Sequence, residues 1–142
     1  MSSNDSFHVT SSSASGMNTT WTADCDDVKN ITMAIPPHFA GPGGGASPED
    51  LYALALLNCL IATFKVFAEK SNLPFEQISG EATLTPGKDA TGKMIMKSIA
   101  MSIKVVGSTD KEKCQKLVEK ASASCMIINS VNTEKSLTIE IV

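Results

Sequence analysis

The feature that most constrains this chain is an apolar run of 18 residues, Leu51–Ala68, with Cys59 near its middle. The run is at the lower limit of length for crossing a membrane. However, Lys65 lies inside it, and the acidic residues Glu49 and Asp50 come directly before it. Charges at these places favour the long core helix of a globular protein, buried on all sides, over a membrane span.

The limits of this helix can be predicted from its flanks. Ser47 has the side chain of an N-cap, Pro48 suits the first helical position, and Asp50 follows the cap by three residues. At the other end, Pro74 biases the preceding residue away from helical geometry, so we expect the helix to end near Ser71–Asn72.

A glycine run, Gly43–Gly45, precedes the helix. Glycines at a helix N-terminus can bind phosphate. No Gly-Lys-Ser/Thr sequence follows, and acidic residues already occupy the positive end of the helix dipole. The run is therefore interpreted as a hinge or as a place where two backbone segments approach closely.

The remaining elements predict an α+β domain with an antiparallel sheet. A second helix is expected from Ser108 or Thr109 to about Ser124, with Thr109 and Glu112 as its capping box. A phase slip at Lys97–Ser98 in an alternating strand predicts a β-bulge. The predicted strands cover residues 7–14, 17–24 and 29–35 before the long helix, 78–84 and 94–105 after it, and 137–141 at the end. We expect one domain over residues 1–142, with residues 1–6 disordered.

Composition excludes several functions. The net charge is −3 and all twelve basic residues are lysine, so a nucleic-acid partner is not expected. Four cysteines without a C-x-x-C pair and two histidines argue against a metal centre, and no cofactor is expected. The chain begins with no basic segment followed by an apolar one, so we expect a cytoplasmic protein without a membrane partner.

The apolar helix needs more cover than one chain can supply. One sheet and one short amphipathic helix cannot surround a helix that is apolar on all sides. A second copy of the chain is the simplest source of that cover, so we expect a homodimer whose interface includes the long helices.

The four cysteines differ in their surroundings. Cys114 shares a helical face with apolar residues and is interpreted as a small core residue. Cys25 stands among three aspartates, which disfavour a nucleophilic thiolate. Cys59 and Cys125 remain as the candidates for chemistry. From the residues alone, two buried structural cysteines are the favoured interpretation of this pair.

Four stretches of the chain resemble the OsmC/Ohr family (osmotically inducible protein C and organic hydroperoxide resistance protein). They are the segments PPHF at 36–39, GPGGGASPEDL at 41–51, NCL at 58–60 and ASCMIINS at 123–130. The order of the elements agrees with that family over nearly the whole chain.

The resemblance implies an OsmC-like fold in an intertwined homodimer with active sites at the interface. It also implies a thiol-dependent peroxidase that reduces organic hydroperoxides and is restored by a dithiol reductant, either lipoyl-type or a small thiol. By position, Cys59 corresponds to the peroxidatic thiol and Cys125 to the resolving thiol. Glu49 corresponds to the carboxylate that orients a catalytic arginine in the family.

The chain departs from the family pattern in one respect that bears on catalysis: it has no arginine. Lysine cannot reproduce the planar, always-charged guanidinium. His38 is a candidate substitute cation, although a simple turn residue after Pro37 fits as well. Met126 also stands where many relatives have proline. An OsmC-like protein without peroxidase activity, which binds a small apolar ligand in the dimer cleft, is therefore the alternative function.

Overall fold

A computed structural model of the chain describes residues 6–142. The disorder predicted for residues 1–6 therefore falls almost wholly outside the described residues. The chain divides into two compact units, a first that ends at Leu51 and a second, Tyr52–Val142. The single domain expected over residues 1–142 stays a prediction.

The first unit is built around a three-stranded antiparallel sheet. Its strands are β1 (Thr10–Ser12), β2 (Trp21–Asp24) and β3 (Ile31–Met33), and a short 3-10 helix follows at Pro37–Phe39. The strands are shorter than predicted. The break predicted between the first two strands, at residues 15–16, is present, but the turn continues beyond it and β2 begins only at Trp21. Gly16 adopts a φ of 108°, and its carbonyl accepts a hydrogen bond from the Thr19 hydroxyl at 2.8 Å.

The glycine run folds back on β3. Ala46 N–H donates to Thr32 O at 2.9 Å, and Ala34 N–H donates to Ala46 O at 3.0 Å. A Cβ added at Gly45 would lie 2.8 Å from the Thr32 carbonyl oxygen, which is closer than a side chain can come. The close backbone approach expected for this run is confirmed.

The long helix is α1 (Pro48–Lys70), and both of its ends match the prediction. Ser47 and Asp50 form a reciprocal capping box: Asp50 N–H donates to Ser47 Oγ at 3.0 Å, and Ser47 N–H donates to Asp50 Oδ2 at 2.9 Å. The hydrogen bonds from Ser47 hold the pKa of Asp50 below its ordinary value. The helix ends where Asn72 adopts a left-handed φ of 53°.

Ser47→Ala is expected to lower the free energy of unfolding by about 1 kcal/mol, because Asp50 N–H loses its side-chain acceptor. Ser124→Ala, at an exposed helical position, should change it by less than about 0.5 kcal/mol. Because the pKa of Asp50 is lowered on folding, its contribution is present above the ordinary aspartate range and is lost as the pH falls through the folded pKa. Urea unfolding of both variants at neutral and acidic pH measures these effects, and equal losses in the two would contradict the capping role.

The second unit contains the strands β4 (Gln77–Lys88), β5 (Met94–Val106) and β6 (Glu134–Ile141). β4 and β5 form the predicted antiparallel hairpin. The register moves from Thr85↔Ser98 to Pro86↔Met96, so Lys97 is the extra residue of the predicted bulge. The expectation of an antiparallel sheet was wrong for β6, which pairs with β5 in parallel. The helical connection between them brings the chain back to the end of the sheet from which β5 began.

That connection holds two helices, α2 (Lys111–Ser124) and α3 (Met126–Asn129). The helix predicted to end near Ser124 does so. Its predicted capping box was wrong: the cap is Asp110, whose Oδ1 accepts a hydrogen bond from Lys113 N–H at 3.0 Å. The short α3 was not predicted.

One core lies between the sheet of the second unit and its helices, and α1 contributes one face to it. Within this core the Phe64 and Phe75 rings pack with centroids 5.3 Å apart. Its fully buried members include Leu56, Leu60, Phe64, Ile99, Ile103, Val105, Cys114, Val118 and Cys125.

The rest of α1 is not covered within one chain. By length and composition α1 could cross a membrane. However, five of its residues are buried, and they belong to the same core as the sheet and α2. In the single chain Leu54 is 50% exposed and Val66 is 49% exposed. Burial on all sides, which was predicted with a second copy as part of the cover, stays a prediction.

Candidate thiol site

Cys59 lies in the middle of α1 and is half-buried. It packs against the core. Leu56, about one turn before it, and Leu60, directly after it, are both buried. Its neighbour Asn58 is exposed and donates a hydrogen bond from Nδ2 to Leu54 O at 2.9 Å. Cys59 therefore stands at the border between the apolar core and the uncovered face of the helix.

Cys125 occupies the break between α2 and α3. Its backbone is extended, with φ −67° and ψ 116°, so it ends α2 and serves as the N-cap residue of α3. Its carbonyl accepts a hydrogen bond from Asn129 N–H at 2.9 Å. The side chain is fully buried.

The structure joins Cys59 and Cys125 in a disulfide, with 6.0 Å between their Cα atoms. This separation is typical of disulfide-bonded cysteines. The two residues are 66 positions apart in the sequence, and the fold of the second unit brings them together. A half-buried thiol paired with a buried one can pass between dithiol and disulfide states.

A second pair links the same parts of the unit. The hydroxyls of Tyr52, on α1, and Thr133, just before β6, lie 2.6 Å apart and share a hydrogen bond. Thr133 is buried, with 5% of its surface exposed. Sequence reasoning missed this pair. The signal that could have indicated it is Tyr52, which is the one tyrosine of the chain. It lies in the apolar helix, seven residues before Cys59.

The other two cysteines stand apart from this chemistry. Cys114 is fully buried in the core, as predicted, and burial raises the pKa of its thiol, offset in part by a hydrogen bond with Ser108. Cys25 belongs to the first unit and is half-buried in a turn, where its carbonyl accepts a hydrogen bond from Lys29 Nζ at 2.9 Å.

Glu49 and His38 belong to the first unit. Glu49 is half-buried in the first turn of α1, and His38 is exposed in the 3-10 helix. The charge of His38 is one of the causes that lower the pKa of Asp50, after the hydrogen bonds from Ser47. The roles of Glu49 and His38 beside Cys59 stay predictions.

These features define an α+β protein with a two-cysteine thiol site between a core helix and a helix break. A profile of the OsmC-like protein family matches residues 41–140, which include both cysteines. The chain belongs to the OsmC-like family.

Comparisons with individual proteins agree with this assignment. The chain is 27% identical over 131 residues to the uncharacterized protein YmaD of Bacillus subtilis, covering 84% of this chain and 87% of YmaD. The fold matches that of the OsmC-like protein VCA0330 of Vibrio cholerae with a TM-score of 0.83 at 22% identity, over 98% of this chain and 100% of the other. It also matches an organic hydroperoxide resistance protein of Elizabethkingia anophelis, with a TM-score of 0.77 at 20% identity over the full length of both chains.

Proposed function

We propose that this protein is a cysteine-dependent reductase of organic hydroperoxides that takes part in a cytoplasmic stress response. One observation carries the proposal: Cys59 and Cys125 meet in a disulfide within the second unit. Family membership supports the stress-response theme. The name of the Elizabethkingia anophelis protein, which shares the fold, supports the substrate class.

The reaction divides into two steps at the thiol site. The Cys59 thiolate attacks the outer oxygen of the hydroperoxide, the O–O bond breaks, and Cys59 becomes a sulfenic acid. The alkoxide that leaves takes up the proton that the Cys59 thiol gave up, and is released as the alcohol. The Cys125 thiol then attacks the Cys59 sulfur, the S–O bond breaks, and water leaves as the disulfide forms.

A dithiol reductant, lipoyl-type or a small thiol, returns the enzyme to its starting state. It supplies two electrons and two protons, and becomes a disulfide itself. Cys59 is the more accessible of the two sulfurs, since Cys125 is fully buried. We therefore assign the peroxidatic role to Cys59 and the resolving role to Cys125. In this proposal Glu49 and His38 have catalytic roles, with His38 in place of the family arginine.

The functional form in this proposal is a homodimer. Leu54, Ala55, Ala62 and Val66 are exposed and lie on one side of α1. Asn58 and Lys65 are exposed on the same side, so the four residues form an apolar stripe with polar residues between them, as many protein interfaces do. A second copy of the chain presents the same stripe, so a twofold axis would cover both helices at once.

Leu54→Glu is expected to weaken the dimer at least about tenfold, because each copy contributes one leucine and half of its surface is still exposed in the single chain. Full burial of a leucine is worth about 1.5–3 kcal/mol. Sedimentation equilibrium should give twice the chain mass of 15.0 kDa for the wild type, and a concentration-dependent monomer for the variant. Lys111→Glu, at an exposed position of α2, is the matched control and should stay dimeric. A soluble wild-type monomer at micromolar concentration would contradict the proposal.

The activity itself is tested by the consumption of an alkyl hydroperoxide by the purified protein with dihydrolipoamide as the reductant. Multiple turnovers per chain are expected, with the corresponding alcohol as the product. Peptide mapping of protein treated with hydroperoxide alone should find the Cys59–Cys125 disulfide and free thiols at Cys25 and Cys114. Consumption no faster than with reductant alone would overturn the proposed activity.

The absence of arginine favours a second candidate, a non-enzymatic OsmC-like protein that binds a small apolar ligand in the dimer cleft. Arginine is the family's means of stabilising a thiolate, and lysine does not replace it geometrically. The two candidates differ in turnover: the ligand-binding protein would bind an apolar hydroperoxide or its alcohol without converting one into the other.

A further inference from the structure

The segment that carries Cys125 is held together by its own hydrogen bonds. Asn129 Nδ2 donates to Ala123 O at 3.1 Å, and the Ser130 hydroxyl donates to Met126 O at 2.8 Å. These bonds fix the local shape of α3. They do not attach it to α1, which carries Cys59.

The segment is attached to α1 by packing in the shared core, to which Ile128 belongs, and by the Tyr52–Thr133 hydrogen bond. This bond spans 81 positions of the sequence and joins α1 to Thr133, four residues past the end of α3. Tyr52 precedes Cys59 by two helical turns, which places both side chains on the same side of α1 about 10 Å apart along its axis. Thr133 follows Cys125 by eight residues. The disulfide and this hydrogen bond are thus two neighbouring links between the same two segments.

We infer that Tyr52 and Thr133 are positioning residues that hold the Cys125 segment against α1 when the disulfide is open. Once the dithiol forms, the covalent link is gone and the hydrogen bond remains. By keeping the two segments together it raises the effective concentration of the Cys125 thiol at Cys59. This inference adds a device to the proposed thiol site, and it rests on the pairing of the two cysteines.

The direct consequence is a shift of the thiol–disulfide equilibrium. In glutathione buffers, the protein disulfide and two glutathione molecules exchange with the protein dithiol and one glutathione disulfide, so that atoms and electrons balance. Loss of the hydrogen bond gives the dithiol form more freedom and favours it. A single hydrogen bond of ordinary strength corresponds to a change of about three- to tenfold in this equilibrium.

Three variants test the inference. Tyr52→Phe and Thr133→Val each remove one hydroxyl, and Thr133→Ser keeps it. The first two should shift the equilibrium towards the dithiol by about three- to tenfold, and Thr133→Ser should stay within about twofold of the wild type. Thr138→Val, at an exposed position of β6, controls for the loss of a threonine hydroxyl elsewhere.

A purely structural role gives a different result. If the bond only stabilises the fold, the variants unfold more readily in both redox states and the equilibrium with glutathione does not move. An equilibrium within twofold of the wild type in both Tyr52→Phe and Thr133→Val would overturn the inference. Should Tyr52→Phe fail to fold, the comparison of Thr133→Val with Thr133→Ser decides alone.

The proposed peroxidase activity is not needed for this measurement, so the two proposals can fail separately. If the activity holds, a second readout is available. Excess alkyl hydroperoxide should drive more Cys59 to the sulfinic acid in Thr133→Val than in Thr133→Ser, because the sulfenic acid waits longer for Cys125. Equal amounts of sulfinic acid in the two variants would count against the positioning role.

Discussion

Cys59→Ser is expected to reduce hydroperoxide consumption by at least about a thousandfold, since it removes the atom that attacks the O–O bond. A serine hydroxyl at the same place is not ionised near neutral pH and cannot form a sulfenic acid. No other cysteine should take over: Cys114 is fully buried and its pKa is raised, and Cys25 belongs to the first unit.

Cys125→Ser should separate the two steps of the reaction. Its first turnover should proceed at the wild-type rate, because Cys59 still attacks the substrate. The sulfenic acid would then persist and become sulfinic acid under excess hydroperoxide. Rapid-mixing measurements of the first turnover, followed by mass spectrometry of the Cys59 peptide, check both expectations.

Cys25→Ser is the matched control for these two variants, since it replaces a half-buried cysteine outside the thiol site. It should keep wild-type consumption within about twofold. If Cys59→Ser retained consumption, or Cys25→Ser lost it, the assignment of Cys59 as the peroxidatic residue would fail.

Sequence patterns predicted most accurately those features that depend on neighbours along the chain. The N-cap at Ser47 and the end of α1 are set by a few adjacent residues, and both were confirmed. The bulge at Lys97 was visible as a break in alternation because each strand residue faces one side of the sheet. The cap of α2 was missed by one residue, since Thr109 and Asp110 both have side chains suited to capping.

Features that depend on distant residues were harder to predict. The parallel pairing of β6 with β5 follows from the path of the connection, and the four residues of α3 are too few to show a helical period. The Tyr52–Thr133 bond joins residues 81 positions apart, and no local sequence pattern indicates that the two side chains meet. Cys59 and Cys125 were assigned catalytic roles because of the family resemblance. From the residues alone, two structural cysteines were the favoured interpretation.

The missing arginine raises the question of what activates Cys59, and reactivity as a function of pH answers it. An unperturbed thiol titrates near 8.5, so without a cation beside it a thiol is mostly protonated at neutral pH. Its alkylation rate should then rise about tenfold for each pH unit, or about a hundredfold between pH 6 and pH 8. A thiol held as thiolate by a nearby cation should instead react at nearly the same rate over this interval.

We expect the nearly constant rate in the wild type and the hundredfold rise in His38→Ala, because His38 is the proposed substitute for the arginine. The measurement follows iodoacetamide labelling of the Cys59 peptide in a Cys125→Ser background, which keeps Cys59 reduced and unpaired. Lys65→Ala, which removes an exposed cation six residues beyond Cys59, is the control and should keep the wild-type profile. A hundredfold rise in both the wild type and His38→Ala would exclude His38 as the activating group. A Cys59 that stays unlabelled up to pH 9 in every variant would remove the peroxidase proposal and leave the ligand-binding protein in its place.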